Sequence, residues 1–230
     1  AVTVLSPTLA ATEQRRIAAT IAKLSVKHTY LSIDEFANAN FVRNDKARCY
    51  WCKKNRIEQL SLWAKEHNIA VLLDGSNTDD LGDYRPGMQA AKEAGEIMLS
   101  PFLLAEISKA EIRSIAKDRG IEFWDLPSSA CLASRIEYGL ELNTIRLTQV
   151  EAAENFLKQY LSGNIRVRHH GELARIEAAP DELSSIFSPQ NRTTILKKFH
   201  ELGFTYVTVD LAGYQTGSMN LKAEEKIHER

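Results

Sequence analysis

Val71-Leu72-Leu73-Asp74-Gly75-Ser76-Asn77-Thr78-Asp79-Asp80-Leu81-Gly82-Asp83-Tyr84-Arg85-Pro86-Gly87 opens as an apolar, strand-like run and empties into a loop crowded with carboxylates, amides and glycines. In an open α/β sheet, ligands sit just beyond the carboxyl ends of parallel strands, where short acidic or glycine-rich loops hold phosphates and their metal ion. Asp79 and Asp80 are adjacent, repel each other, and gain most when a cation neutralises them. The competing reading is a polar surface loop in which Asp83 caps the next helix.

Outward from this loop, strands alternate with helices. Residues 2–5 read as a strand, 12–24 as a helix with Ile17, Ile21 and Leu24 on one face, and 28–31 as the next strand. A helix over about 52–67, a strand over 69–73 and a helix over 88–94 follow. Ser32 with Glu35, and Ser108 with Glu111, are spaced for capping boxes, and Gly120 ends the second of those helices. This alternation implies an α/β fold on a parallel sheet. Pro127, Ser128 and Ser129 mark a crossing that divides the chain into domains 1–127 and 128–230. The second domain reads as a helix (143–160), strands (165–169 and 173–178), a helix (192–202) and a strand (206–211), which is a smaller α+β layer.

The 230 residues suit one or two domains, and 44% apolar content suffices for a core. A formal charge of -1 supplies no basic field, so no nucleic-acid partner is expected. No apolar stretch approaches the ~20 residues that span a bilayer, and the first residues lack a secretory layout. These features predict a cytoplasmic chain with reduced thiols and no membrane partner. The charge-rich end, 222–230, reads as a frayed tail.

Three cysteines in a reducing compartment are better explained as metal, cluster or catalytic thiols than as disulfides. Cys49-Tyr50-Trp51-Cys52 places two of them three residues apart at the start of a helix, where exposed amides stabilise thiolates. Cys131 lies across the predicted crossing. Three thiolates without a fourth protein ligand match an iron-sulfur cluster with one open iron, whereas structural zinc wants four. His169 and His170 offer a fourth ligand, or they are surface or substrate contacts. Trp51 beside the pair either covers a cluster or packs, Trp63 packs, and the Lys53-Lys54 pair faces water.

Leu73 to Asp80 with Asp83-Tyr84-Arg85-Pro86-Gly87, then Ala130-Cys131-Leu132-Ala133-Ser134-Arg135 with Tyr138-Gly139, then Val207-Thr208-Val209-Asp210-Leu211 with Gly213 and Met219-Asn220, resemble the LarE family of ATP-dependent sulfurtransferases over nearly the whole chain. That family belongs to the PP-loop ATP pyrophosphatases, of the adenine nucleotide alpha hydrolase-like fold, and serves maturation of the nickel-pincer nucleotide of lactate racemase. The resemblance implies that a carboxylate of pyridinium-3,5-dicarboxylate mononucleotide is activated as an acyl-adenylate and then converted to a thiocarboxylate. It also implies a homo-oligomer, up to a hexamer. Within the family, one branch gives up the sulfur of its own cysteine and another holds a 4Fe-4S cluster on three cysteines; Cys49, Cys52 and Cys131 match the second. The family's Ser-Gly-Gly-x-Asp-Ser phosphate loop has no counterpart here, and residues 2–6 correspond to its second strand. The expectation is therefore a chain lacking its first strand and phosphate loop, with impaired ATP turnover.

By that resemblance, Asp74, Gly75, Asn77, Asp79 and Asp80 form the ATP and Mg²⁺ loop, Ser134 and Arg135 meet the substrate phosphate or carboxylate, and Glu154 stands near the catalytic Cys131. Read in isolation, Glu154 is a solvated helix position. Arg166 and Arg168 alternate on one face of a strand, where two guanidiniums bind phosphate bidentately or protect an exposed edge. Two rival functions are a PP-loop tRNA thiolation enzyme and a non-catalytic metal-binding protein.

Overall fold

The computed structural model describes residues 1–82, 86–126, 130–215 and 218–219. The Asp83 cap, the crossing at Pro127 to Ser129, Asn220 and the tail 222–230 lie outside the described residues. The chain divides into two compact units: Ala1–Ser6, Ala11–Phe41 and Ala47–Ser129 form one, while Pro7–Ala10, Val42–Lys46 and Ala130–Arg230 form the other.

The first unit is mixed α/β. Its elements run β1 (Val2–Leu5), α1 (Ala11–Lys23), β2 (Thr29–Ser32), α2 (Ala39–Val42, whose last residue falls in the second unit), α3 (Arg48–Glu66), β3 (Leu72–Leu73), α4 (Pro86–Glu93), β4 (Met98–Leu99), α5 (Pro101–Leu104) and α6 (Lys109–Asp118). β1 pairs with β2 and β3 with β4, each in parallel, so the described residues hold two two-stranded parallel sheets instead of one continuous sheet. The expected strand over 69–73 contracts to Leu72–Leu73, because Asn68 turns left-handed (φ 57°) and Ile69 N still donates to Ala64 O of α3. α3 begins four residues before its expected start, which sets Cys49 in its first turn and Cys52 in its second.

The two capping expectations separate. Ser108 and Glu111 bond reciprocally at the start of α6, with Ser108 N donating to Glu111 Oε2 at 2.8 Å and Glu111 N donating to Ser108 Oγ at 3.3 Å. Ser32 and Glu35 make no such box: Asp34 caps the short turn Glu35–Ala37, and Glu35, only 1% exposed, accepts Arg56 Nε at 2.7 Å. A buried ion pair outweighs a local cap there. The core of this unit is small, with Ile57, Ala90 and Met98 flanked by Tyr50 and Leu72. α4 packs against α3 at Gly87, where a Cβ would still make ordinary contact, 3.4 Å from Cys49 O.

The second unit contains α7 (Thr144–Leu157), β5 (Arg166–His170), β6 (Leu173–Glu177), α8 (Leu183–Phe187), α9 (Pro189–Glu201) and β7 (Tyr206–Val209). β6 is central, antiparallel to β5 and parallel to β7. Its larger core joins Leu157, Ile165, Val167, Ile176, Ile195, Phe199 and Phe204. Asn143 caps α7 by accepting Arg146 N at 2.9 Å. No helix among the described residues is long and apolar enough to cross a membrane.

His169 points into this core at 3% exposure, edge-on to Phe204, its Nε2 3.0 Å from Gln149 Oε1 and its Nδ1 buried without a partner. Burial first, then the Arg146 and His170 charges, hold its pKa down at about 4 against 6.5. The unfolded chain takes up a proton near 6.5 and the folded chain only near 4. Stability contributed above 6.5 is therefore lost as pH falls through that window, by about 3 kcal/mol. Urea titrations at about pH 7.5 and about pH 4.5 should show this loss, and His169→Phe should flatten it; an equal loss in the variant would assign the acid sensitivity elsewhere.

Candidate functional site

Two groups of residues carry chemistry, one in each unit. In the first unit, Asp74 follows β3 directly and accepts from Lys53 Nζ at 2.8 Å, Ser100 Oγ at 2.7 Å, and Ser76 N and Oγ at 3.1 Å each. Partial burial pushes its carboxyl up, but the bonds from Lys53 and Ser100, the Lys53 charge and the Ser76 amide more than offset this and hold it at about 2. Lys53 thus does not face water as expected, because it neutralises Asp74 across the α3 to β3 connection. Asn77 and Asp80 are buried, and Asp80 Oδ2 accepts from Asn77 N at 3.0 Å. Asn77 Oδ1 accepts from Asp79 N at 3.2 Å, and Asp79 Oδ2 accepts from Lys109 N at 3.1 Å at the start of α6. Backbone amides thus hold both carboxylates of the acidic loop. The space beside Gly75 is open. A cavity of about 240 Å³ adjoins the loop, lined by Ser76 and Ser100 on its polar side and by Met88, Met98 and Leu103.

Cys49 is exposed and Cys52 half-buried, both outside any disulfide and one helical turn apart on α3. Cys52 Sγ donates to Glu35 Oε1 at 3.4 Å. Trp51 stands edge-on to Tyr50, with Lys54 Nζ 5.8 Å from its ring centroid, so the second lysine of the pair also leans on aromatic faces. Trp63 stacks on His67.

In the second unit, Cys131 is exposed and free at the head of a single 3-10 turn, Leu132–Arg135. Its carbonyl accepts Ser134 Oγ at 2.8 Å, Ser134 N at 3.0 Å and Arg135 Nη1 at 3.0 Å. The Arg135 guanidinium, buried to 4% exposure, also donates to Ala130 O at 2.7 Å and forks onto Glu154, Nε to Oε1 at 2.9 Å and Nη2 to Oε2 at 3.2 Å. Glu154 Oε1 further accepts Val167 N of β5 at 3.1 Å. Glu154 is thus buried on the inner face of α7, which corrects the solvated position that its sequence context suggested. Helical spacing alone did not reveal it, since the partner that buries it lies 19 residues earlier.

Arg168 is likewise spent internally: Nε and Nη2 clasp Glu177 Oε2 at 2.9 and 2.7 Å, Nη1 donates to Ser134 O at 3.2 Å, and Nη2 reaches Ser218 Oγ at 3.0 Å. Arg175 pairs with both Glu177 and Asp210. Arg166 differs. It is half-buried, stacks over Tyr214 at 5.3 Å, donates only to its neighbour's carbonyl, Ile165 O, and pairs with no carboxylate among the described residues. Burial first, then the Arg135 charge, lower its pKa, against the nearby Glu154 and Tyr214, which raise it. His170 Nδ1 lies 3.0 Å from Glu137 Oε2. Among the described residues, no group of three or more His, Cys, Asp or Glu side chains gathers to hold a metal ion.

No family model matches the chain. It is similar to three curated proteins. The slr1717 protein of Synechocystis sp., which is uncharacterised, is 38% identical over 220 residues, 96% of this chain and 81% of that protein. The MJ0830 protein of Methanocaldococcus jannaschii, also uncharacterised, is 35% identical over 195 residues, 85% of this chain and 75% of that protein. The pyridinium-3,5-bisthiocarboxylic acid mononucleotide synthase of Lactiplantibacillus plantarum is 34% identical over 191 residues, 83% of this chain and 66% of that protein.

Proposed function

The chain belongs to the LarE family, that of the Lactiplantibacillus plantarum synthase, and from that footing we propose that it is an ATP-dependent sulfurtransferase that converts a carboxylate of a pyridinium dicarboxylate mononucleotide to a thiocarboxylate. The observation that carries this reading is the exposed Cys131 thiol on a turn pinned by Arg135 and Glu154, in the same unit as Arg166, a guanidinium that forms no ion pair among the described residues.

In the proposed reaction, a substrate carboxylate oxygen attacks the α-phosphorus of ATP and pyrophosphate leaves. Sulfur then forms a bond to the carboxyl carbon as the carbon–oxygen bond to AMP breaks. Asp79 and Asp80 hold Mg²⁺, beside the anion Asp74, which Lys53 keeps ionised. Arg166 takes the substrate phosphate or second carboxylate, while Ser134, Arg135 and Arg168 build the wall that orients it. Cys49, Cys52 and Cys131 suit a 4Fe-4S cluster by donor chemistry, being three thiols outside any disulfide, two of them exposed. When bound, the cluster supplies a sulfide nucleophile that is replenished without consuming the protein.

The test is an anaerobic incubation of the product of the full reading frame with Mg²⁺, ATP and pyridinium-3,5-dicarboxylate mononucleotide, read by mass spectrometry for replacement of oxygen by sulfur and by pyrophosphate release. Arg166→Ala should raise KM about tenfold with little loss of kcat, because it removes an ion contact shared by ground and transition states. Pyrophosphate release without any sulfur incorporation would sink the proposal.

A further inference from the structure

The sequence motifs leave Asn44 unassigned, yet it is fully buried, at 0% exposure, and holds a left-handed backbone (φ 54°), which asparagine tolerates better than other side chains. It lies in the segment Val42–Lys46 of the second unit. Its Nδ2 donates to Glu137 O at 2.8 Å and Leu140 O at 2.9 Å and reaches Ile136 O at 3.5 Å, and its own carbonyl accepts Gly139 N at 3.0 Å. Two residues earlier, Val42 O accepts Leu142 N at 2.9 Å. One amide therefore closes the tight turn 136–140, in which Leu140 N donates to Glu137 O and Gly139 takes φ 88°.

That turn begins where the Cys131 turn ends. Arg135, whose guanidinium grips the Cys131 carbonyl, is followed directly by Ile136, which bridges to His169 of β5 while Glu137 N donates to His169 O at 3.0 Å. At the other end, Leu132 N donates to Thr8 O at 2.9 Å, and Thr8 is 1% exposed. The exposed thiol thus stands on a short segment whose two flanks are fixed by distant parts of the sequence. Asn44 is the flank that acts through its side chain.

We propose that Asn44 is a positioning residue for Cys131: by closing the turn 136–140 it sets the direction of the Arg135 backbone and so the presentation of the thiol. The proposal rests on Cys131 being the working thiol of the proposed sulfurtransferase, but its test does not require that activity. In a Cys49→Ser, Cys52→Ser background, the rate at which iodoacetamide alkylates Cys131 is measured for the parent, for Asn44→Gly, which keeps the left-handed backbone and deletes the amide, and for Ile186→Ala, a core control in the same unit.

Asn44→Gly should change the alkylation rate at least about fivefold, while Ile186→Ala, matched for loss in melting temperature, leaves it near the parent value. An unchanged rate in Asn44→Gly, or an equal change in the control, overturns the proposal. Should Asn44→Gly not fold, Gly139→Ala strains the same turn without touching the amide, and an unchanged Cys131 rate in that variant overturns it equally. Failure of sulfur transfer alongside a shifted alkylation rate would count against the function and not against Asn44.

Discussion

Glu154→Ala is expected to lower the stability of the second unit by about 3–5 kcal/mol, the cost of leaving a buried guanidinium without its counter-ion. The Arg135 side chain is 5% exposed and that of Glu154 11%, so water cannot take over the lost contacts. The Val167 amide loses its acceptor at the same time. The three tryptophans, Trp51, Trp63 and Trp124, all lie in the first unit, so the loss should be followed by far-ultraviolet circular dichroism in urea instead of indole fluorescence. A companion double variant, Arg135→Met with Glu154→Leu, replaces the pair by apolar groups of similar volume and should recover most of the stability. It would not recover the donors that Arg135 Nη1 sends to the carbonyls of Ala130 and Cys131. If the double variant regains stability and still fails in sulfur transfer, Arg135 works by holding the thiol. If stability and activity return together, the ion pair is structural only.

That pair also shows where sequence reading reaches and where it stops. Ser108 and Glu111 announce themselves because a cap is completed within a few residues by backbone amides that every helix start exposes. The strands β6 and β7 were legible for a related reason, since burial alternates along Leu173 to Ile176 and along Tyr206 to Val209, whereas β5 is buried on both faces from Val167 to His169. Glu35, Glu154 and Lys53 were misread because their partners lie 21, 19 and 21 residues away, at separations that no helical or strand period reports. Each looked like a charge facing water or a local cap, and each is half-buried or buried against an opposite charge. Asn44 is the sharper case. An asparagine among charged and polar neighbours gives no sequence signal of burial, and only its closure of the turn 136–140 reveals its work.

The short first-unit strands show the same limit in the opposite direction. The apolar run into Asp74 was read as a strand over 69–73, yet Val71 and Leu73 are exposed, at 39% and 67%, and only two residues pair with β4. What survives is the placement of the acidic loop beyond a parallel strand, which depends on the end of the strand and not on its length.

Single replacement of Cys49, Cys52 or Cys131 by alanine is expected to abolish cluster formation and, with it, at least about a thousandfold of the proposed sulfur transfer, since no covalent route to the substrate carboxyl remains. After anaerobic reconstitution with iron and sulfide, the parent chain should show broad visible absorption, an electron-spin signal on reduction, and equal counts of iron and acid-labile sulfide. Each variant should lose all three together, because a cluster held by two thiolates in place of three is open to water and falls apart. Two of the variants need not be unstable, since Cys49 and Cys131 are exposed, and Glu35, which Cys52 meets, is still neutralised by Arg56. Retention of full iron by any one variant removes that cysteine from the ligand set. Zinc uptake in place of iron would instead favour a structural metal site or a sacrificial thiol, and a parent chain that incorporates sulfur once and then stops would favour the sacrificial thiol. Cys131 is the candidate for that role, because it alone stands on a turn tied down at both flanks while its sulfur stays exposed.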